Sequence, residues 1–148
     1  LKYLSPTRVL VEPKDPLFAI IYGFGRYGKF GTDFGRSATG SQSAFTLDGD
    51  PLRSALSSKM SIEISPAEPM ELEIFLNQTL VNKIVPMLHG KGTYQFDIPP
   101  KVWRDDRNIV TLVSHLKSED EIGNWQMSFI LGNMTFALND VTEQANTP

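Results

Sequence analysis

The side chains best suited to chemistry gather in one glycine-rich stretch, Tyr22-Gly-Phe-Gly-Arg-Tyr-Gly-Lys-Phe-Gly31, where aromatic rings alternate with cations. A pyranose offers an apolar face to an aromatic plane and hydroxyls to charged groups. Tyr22, Tyr27, Phe30 and Phe34 as platforms, with Arg26, Lys29, Asp33 and Arg36 as hydrogen-bonding partners, therefore form a candidate glycan site. The plainer role for the phenylalanines is to plug the edge of a core while the charges are solvated. Trp103, in Lys101-Val-Trp-Arg-Asp-Asp-Arg107, is a further candidate contact because cations stack on indole. Its alternative is a core plug beneath a loop whose charges pair with one another.

Other patterns are weaker. Gly23-Phe-Gly-Arg-Tyr-Gly28 has the form G-x-G-x-x-G, but a dinucleotide fold needs a helix starting there, and the glycines that follow forbid one. Asp48-Gly-Asp50 has the form of a D-x-D metal motif and of the start of a calcium loop, yet the remaining ligands are missing, and a turn accounts for it. Neither His89 nor His115 neighbours a nucleophile, and Gly35-Arg-Ser-Ala-Thr-Gly40 misses the spacing of a nucleophile elbow. A hydrolase would need two of Asp33, Asp48, Asp50 and Asp97 roughly 5 to 10 Å apart across a cleft. Asn77-Gln-Thr79 and Asn133-Met-Thr135 match the N-glycosylation acceptor.

The chain has 148 residues, enough for one domain with its own core. Its 14 basic and 17 acidic residues leave a formal charge of -3, which gives no global field for nucleic acid. With no cysteine, disulfides, thiolate metal sites and a thiol nucleophile are excluded. No stretch is apolar for long enough to span a bilayer, so membrane contact is expected only through parts outside this chain. The sequence starts at Leu1 without an initiator Met or a signal peptide, as expected of a processed or excised piece.

The elements that must position these residues read as strands. Residues 18–22 form an apolar run expected to be a buried strand, and residues 23–43 a long, partly packed loop. Alternation then predicts strands at 43–47, 59–64, 70–76, 80–85, 94–98, 108–115, 125–131 and 134–138, with a tight hairpin at Asn77-Gln78. About eight strands and little helix predict an all-β fold, an antiparallel two-sheet β-sandwich or jelly roll. Residues 1–16 are expected to be an irregular lead-in, 17–139 the sandwich domain and 140–148 a frayed tail.

The order of these motifs, the glycine-aromatic stretch followed by Gly40-Ser-Gln-Ser-Ala-Phe-Thr-Leu47, Met70-Glu-Leu-Glu-Ile-Phe-Leu-Asn-Gln78 and Gly92-Thr-Tyr-Gln-Phe-Asp-Ile-Pro99, resembles galactose-binding-like jelly rolls. It is similar to the extracytoplasmic domains appended to bacterial membrane glycosyltransferases and phosphoglycerol transferases. Those domains usually carry tryptophans near Tyr27 and Phe30 and an Asn-Gly turn at Asn77-Gln78. The resemblance implies a non-catalytic accessory module outside the cytoplasm that binds or positions a glycan, and a structural Ca2+ in a loop as a feature of the superfamily. The loop aromatics also suit the anchoring of a protein partner, the alternative role, and no organic cofactor is expected.

Overall fold

Period-two alternation places Met60, Ile62 and Ile64 on one strand, and Met70, Leu72, Ile74 and Leu76 on another, along one apolar face each. All seven are at most 2% exposed. The computed structural model describes residues 2–5, 8–15, 18–47, 57–88, 90–104, 107–116 and 127–139. Among them lie twelve strands: β1 (Lys2–Ser5), β2 (Arg8–Val11), β3 (Ile20–Tyr22), β4 (Phe24–Phe30), β5 (Asp33–Thr39), β6 (Gln42–Leu47), β7 (Ser57–Pro66), β8 (Met70–Leu76), β9 (Thr79–Ile84), β10 (Gly92–Ile98), β11 (Asn108–Leu116) and β12 (Met127–Asn139). The one helical element described is a 3-10 turn at Pro100–Val102.

Every pairing is antiparallel, and the strands form two sheets. The five-stranded sheet runs β3-β6-β11-β8-β9. The seven-stranded sheet is built on β12, which pairs along one edge with β7 and through it with β10. Its other edge is shared end to end: β5 pairs with Met127 to Leu131, and β2 with Met134 to Ala137. The core fills the space between the sheets, where Phe45 and Leu112 face Phe129, Leu131 and Phe136 at 0–1% exposure. The all-β sandwich expected from the alternation is the fold observed.

Four sequence expectations are corrected. The lead-in expected to be irregular contains β1 and β2, which the free edge of β12 holds in register. The expected loop at 23–43 is the β4–β5 hairpin followed by the start of β6. The expected buried strand at 18–22 shortens to β3, an edge strand whose Ile20, Ile21 and Tyr22 are 37%, 46% and 45% exposed. The two strands expected at 125–131 and 134–138 are one, with an irregularity between Leu131 and Met134. The tail at 140–148 lies outside the described residues.

The β8–β9 hairpin closes as expected, through Asn77 and Gln78 at φ 50° and 73°. Two positive φ values in a two-residue loop define a type I′ turn, which suits Asn first and Gly second. Gln78→Gly is expected to raise stability by about 0.5 kcal/mol and the melting temperature by about 2 °C. Calorimetry showing no gain would mean that Gln78 bears no backbone strain.

Asn77 also acts as a staple. Its Nδ2 donates to the Val102 carbonyl at 2.7 Å and to Asn108 Oδ1 at 2.8 Å, while its Oδ1 accepts from the Ile109 N–H at 2.8 Å. Asn108 Oδ1 in turn accepts from the Arg104 N–H at 2.8 Å. The turn is thereby bound to the 3-10 segment and to the start of β11. Both Nδ2 hydrogens are engaged and the residue is 8% exposed, so the sequon at Asn77 is closed to glycosylation in the folded protein.

Candidate functional site

Hairpin β4–β5 puts the glycine-aromatic residues on two faces. Tyr27 pairs with Arg36 and Lys29 with Phe34, and residues directly opposite in an antiparallel pair share a face. Gly28 with Gly35, and Phe30 with Asp33, fall on the other face. Gly31, at φ 65°, closes the turn.

The base of the hairpin is fixed by packing and by one half-buried cation. Phe24 meets Phe18 edge-on at 6.0 Å and lies 6.1 Å from the ring of Phe45 in the opposite sheet. Arg36 donates through Nε and Nη2 to the Pro13 carbonyl at 3.1 and 2.8 Å, and through Nη1 to the Gly25 carbonyl at 3.0 Å. Its guanidinium lies 5.5 Å from the Phe18 ring centroid. Burial lowers the Arg36 pKa from the ordinary guanidinium value because the charged form loses water.

The tip is tied down separately. Asp33 Oδ2 accepts from Ser65 Oγ at 2.7 Å, and Lys91 Nζ donates to the Phe34 carbonyl at 2.9 Å. Gly35 passes close over β12: a Cβ there would overlap the Leu131 carbonyl oxygen and stand 2.5 Å from Ile130 Cγ2.

What remains open is a small platform. Tyr27 is 37% and Phe34 51% exposed, with Lys29 Nζ 5.7 Å from the Phe34 ring centroid and Arg26 exposed in the irregular stretch beside Tyr27. The structure thus brings together Tyr27, Lys29 and Phe34 of the sequence-derived site, with Arg26 alongside. Tyr22 belongs to the edge of the five-stranded sheet, paired with Ala44. Phe30 is half-buried and Asp33 is bonded on the opposite hairpin face. Arg36 is corrected from a ligand contact to a strut, since its donors are satisfied by backbone carbonyls. Trp103 is corrected likewise: it is 9% exposed, donates from Nε1 to Ser58 Oγ at 3.0 Å and meets Phe136 edge-on at 5.8 Å.

Sequence reasoning missed a groove of about 320 Å³ lined by Leu10, Ser61, Glu63, Thr93, Asn133 and Thr135. It lies on the outer side of the seven-stranded sheet, where Thr93 opposes Glu63 and Ser61 opposes Thr135, which opposes Leu10. Glu63 Oε1 accepts from the Asn133 N–H at 2.7 Å. A Cβ at Gly132 would come within 2.8 Å of Glu63 Cβ and 3.3 Å of Lys91 Cε, so the chain runs close beneath the groove there. Groove and platform lie on opposite faces of the sheet: Arg36 pairs with the core residue Leu131 and so shares its face, whereas Glu63 points away from core Ile64. In sequence the groove residues other than Leu10 are simply the polar half of an alternating pattern, and only pairing between strands distant in the chain reveals them.

Acid–base chemistry is sparse among the described residues. His115 Nε2 contacts Glu73 Oε1 on the exposed side of the five-stranded sheet, and Lys83 Nζ lies 3.9 Å from both Glu71 and Glu73. Asp33 is bonded to Ser65, whereas Asp97 opposes Lys59, six residues away along β7. Six residues of strand span about 20 Å, beyond the reach of a glycosidase pair. Asp48, Asp50 and His89 lie outside the described residues, and among the described ones no three acidic or histidine side chains converge to hold a metal. The loop Ca2+ that the resemblance implies thus has no acidic cluster among the described residues, and the Asp48-Gly-Asp50 candidate lies outside them.

No protein-family model and no curated protein matches the sequence. Solved structures do match. A family 36 carbohydrate-binding domain of a multidomain xylanase from the hindgut metagenome of Trinervitermes trinervoides superposes with a TM-score of 0.61 at 9% identity, covering 90% of this chain and 99% of that one. A family 36 module in complex with calcium and xylotriose gives 0.55 at 13% identity, covering 87% and 99%. A module of Cellvibrio mixtus lichenase 5A in complex with cellotriose gives 0.53 at 9% identity, covering 88% and 97%. At these identities the likeness establishes the jelly-roll fold and leaves the site to be argued from this chain's residues.

Proposed function

We propose that this domain is a non-catalytic carbohydrate-binding module. It is appended to a glycan-modifying membrane protein of the cell envelope and works outside the cytoplasm. The observation that carries the binding reading is the exposed Tyr27–Phe34 platform with the cations Lys29 and Arg26 beside it. Aromatic faces and convergent hydroxyl-bonding groups are what a pyranose chain requires. The jelly-roll neighbours crystallised with xylotriose and cellotriose support the same class of ligand. Attachment to a membrane enzyme rests on the resemblance of the glycine-aromatic stretch and the strand motifs that follow it.

Titration of the folded domain with glycan fragments, followed by amide NMR, tests this. Shifts are expected across β4 and β5, while the buried Trp103 indole stays still. Tyr27→Ala and Phe34→Ala are each expected to weaken binding by about tenfold. Tyr22→Ala, in the other sheet, is expected to leave binding unchanged. Saturable shifts confined to another surface would remove the hairpin as the site.

A second reading, docking to a protein partner, draws on the connection between β9 and β10. There Val85, Met87 and Leu88 are 57%, 70% and 39% exposed. Self-association or partner capture abolished by Met87→Ser, with no glycan dependence, would favour it.

A further inference from the structure

Hairpin β4–β5 separates its charges by sign. Its cations are Arg26, Lys29 and Arg36, and its one carboxylate is Asp33. Lys29 and Arg36 share the face that carries Tyr27 and Phe34, whereas Asp33 falls on the other and is held by Ser65. Lys91 adds a cation at the Phe34 carbonyl. The partners recorded for Lys29, Lys91 and Arg36 are aromatic rings and backbone carbonyls, which satisfy donors without cancelling charge. The net charge of the chain is -3, so this cationic face runs against the character of the whole surface.

We infer that the platform selects acidic glycans, a polysaccharide carrying carboxylate groups at regular intervals. The inference rests on the glycan-binding reading above and names the ligand class within it. A uronate residue stacked on Tyr27 or Phe34 presents its carboxylate to Lys29 or Arg26, an ion-paired hydrogen bond that a neutral hexose cannot form.

Calorimetric titration of the intact domain with cellotetraose and with the β-1,4-linked tetraglucuronate compares two chains that differ only at C6, a hydroxymethyl group in one and a carboxylate in the other. The acidic chain is expected to bind about tenfold tighter at low salt. That ratio is expected to fall to about one in 0.5 M NaCl, where the Debye length is roughly 4 Å. It is expected to fall likewise in Arg26→Gln/Lys29→Gln, whose melting temperature reports that both exposed substitutions leave the fold intact. Equal affinities in the native protein overturn the acidic preference and leave the glycan module standing. A preference that survives in the double variant removes these cations as its cause, and binding of neither chain overturns the glycan reading and this one together.

Discussion

Asn77→Ala is expected to lower stability by about 3 kcal/mol and the melting temperature by about 10 °C. The side chain is 8% exposed and meets three polar groups, the Val102 carbonyl, Asn108 Oδ1 and the Ile109 N–H. Alanine leaves all three without this partner, and each desolvated group costs about 1 kcal/mol or more. It also places a residue with no special tolerance at φ 50°. Asn77→Asp separates the two contributions, since aspartate is isosteric and tolerates positive φ but cannot donate. Its carboxylate would face the Val102 and Asn108 oxygens, so its folded pKa lies above the unfolded value. Such a group destabilises above the unfolded pKa, and the penalty fades as pH falls toward it. Denaturation across pH 4 to 8 should therefore show the Asp variant approaching the native protein at the acid end. A pH-independent Asp variant with native stability would mean that Nδ2 contributes nothing.

Gly35→Ala is the second large effect, expected at about 2–3 kcal/mol. The obstruction is backbone: the added Cβ meets the Leu131 carbonyl oxygen, which cannot swing away without breaking the β5–β12 ladder. The hairpin must then lift from β12, carrying the Tyr27–Phe34 platform with it, so glycan affinity and amide protection in β4 and β5 are expected to fall together. Gly28→Ala is the control. Its Cβ would stand 3.8 Å from Phe30 Cε2, an ordinary contact, and an alanine in a strand is no worse than glycine. Equal losses at the two glycines would show that hairpin flexibility, rather than the close approach at Gly35, is what the chain requires.

The contrast between these glycines explains what was legible in the sequence. Strands such as β7 and β8 announce themselves because Met60, Ile62, Ile64 and the four buried apolar residues of β8 recur at every second position. The Asn77 turn announces itself by residue type. The β4–β5 hairpin does not, since Gly25, Gly28, Gly31 and Gly35 erase the alternation, and what holds it is the edge of β12 about a hundred residues later. The same holds for β1 and β2, whose short, proline-flanked runs acquire order only beside β12. The candidate site was legible as a composition, aromatic rings among cations, but not as a geometry. Sequence cannot say that Arg36 spends its donors on the carbonyls of Pro13 and Gly25, or that the outward residues of β2, β7, β10 and β12 converge into a groove.

The placement of β12 also fixes the order in which the domain can assemble. The five strands of one sheet are all present once β11 emerges at Leu116, and that sheet can close on its own pairings. The other sheet cannot. Until β12 exists it consists of three separate pieces, β1–β2, β4–β5 and β7–β10, none paired strand to strand with another. During synthesis the inner face of the finished sheet, with Phe45, Leu72, Ile74 and Leu112, waits without its complete cover. The last strand then unites all three pieces in a single step. Joining β2 to a strand some 125 positions away gives the domain a high contact order, so millisecond-to-second folding follows from its topology. The interval before β12 arrives is when the nascent chain is most exposed to aggregation and most dependent on chaperones.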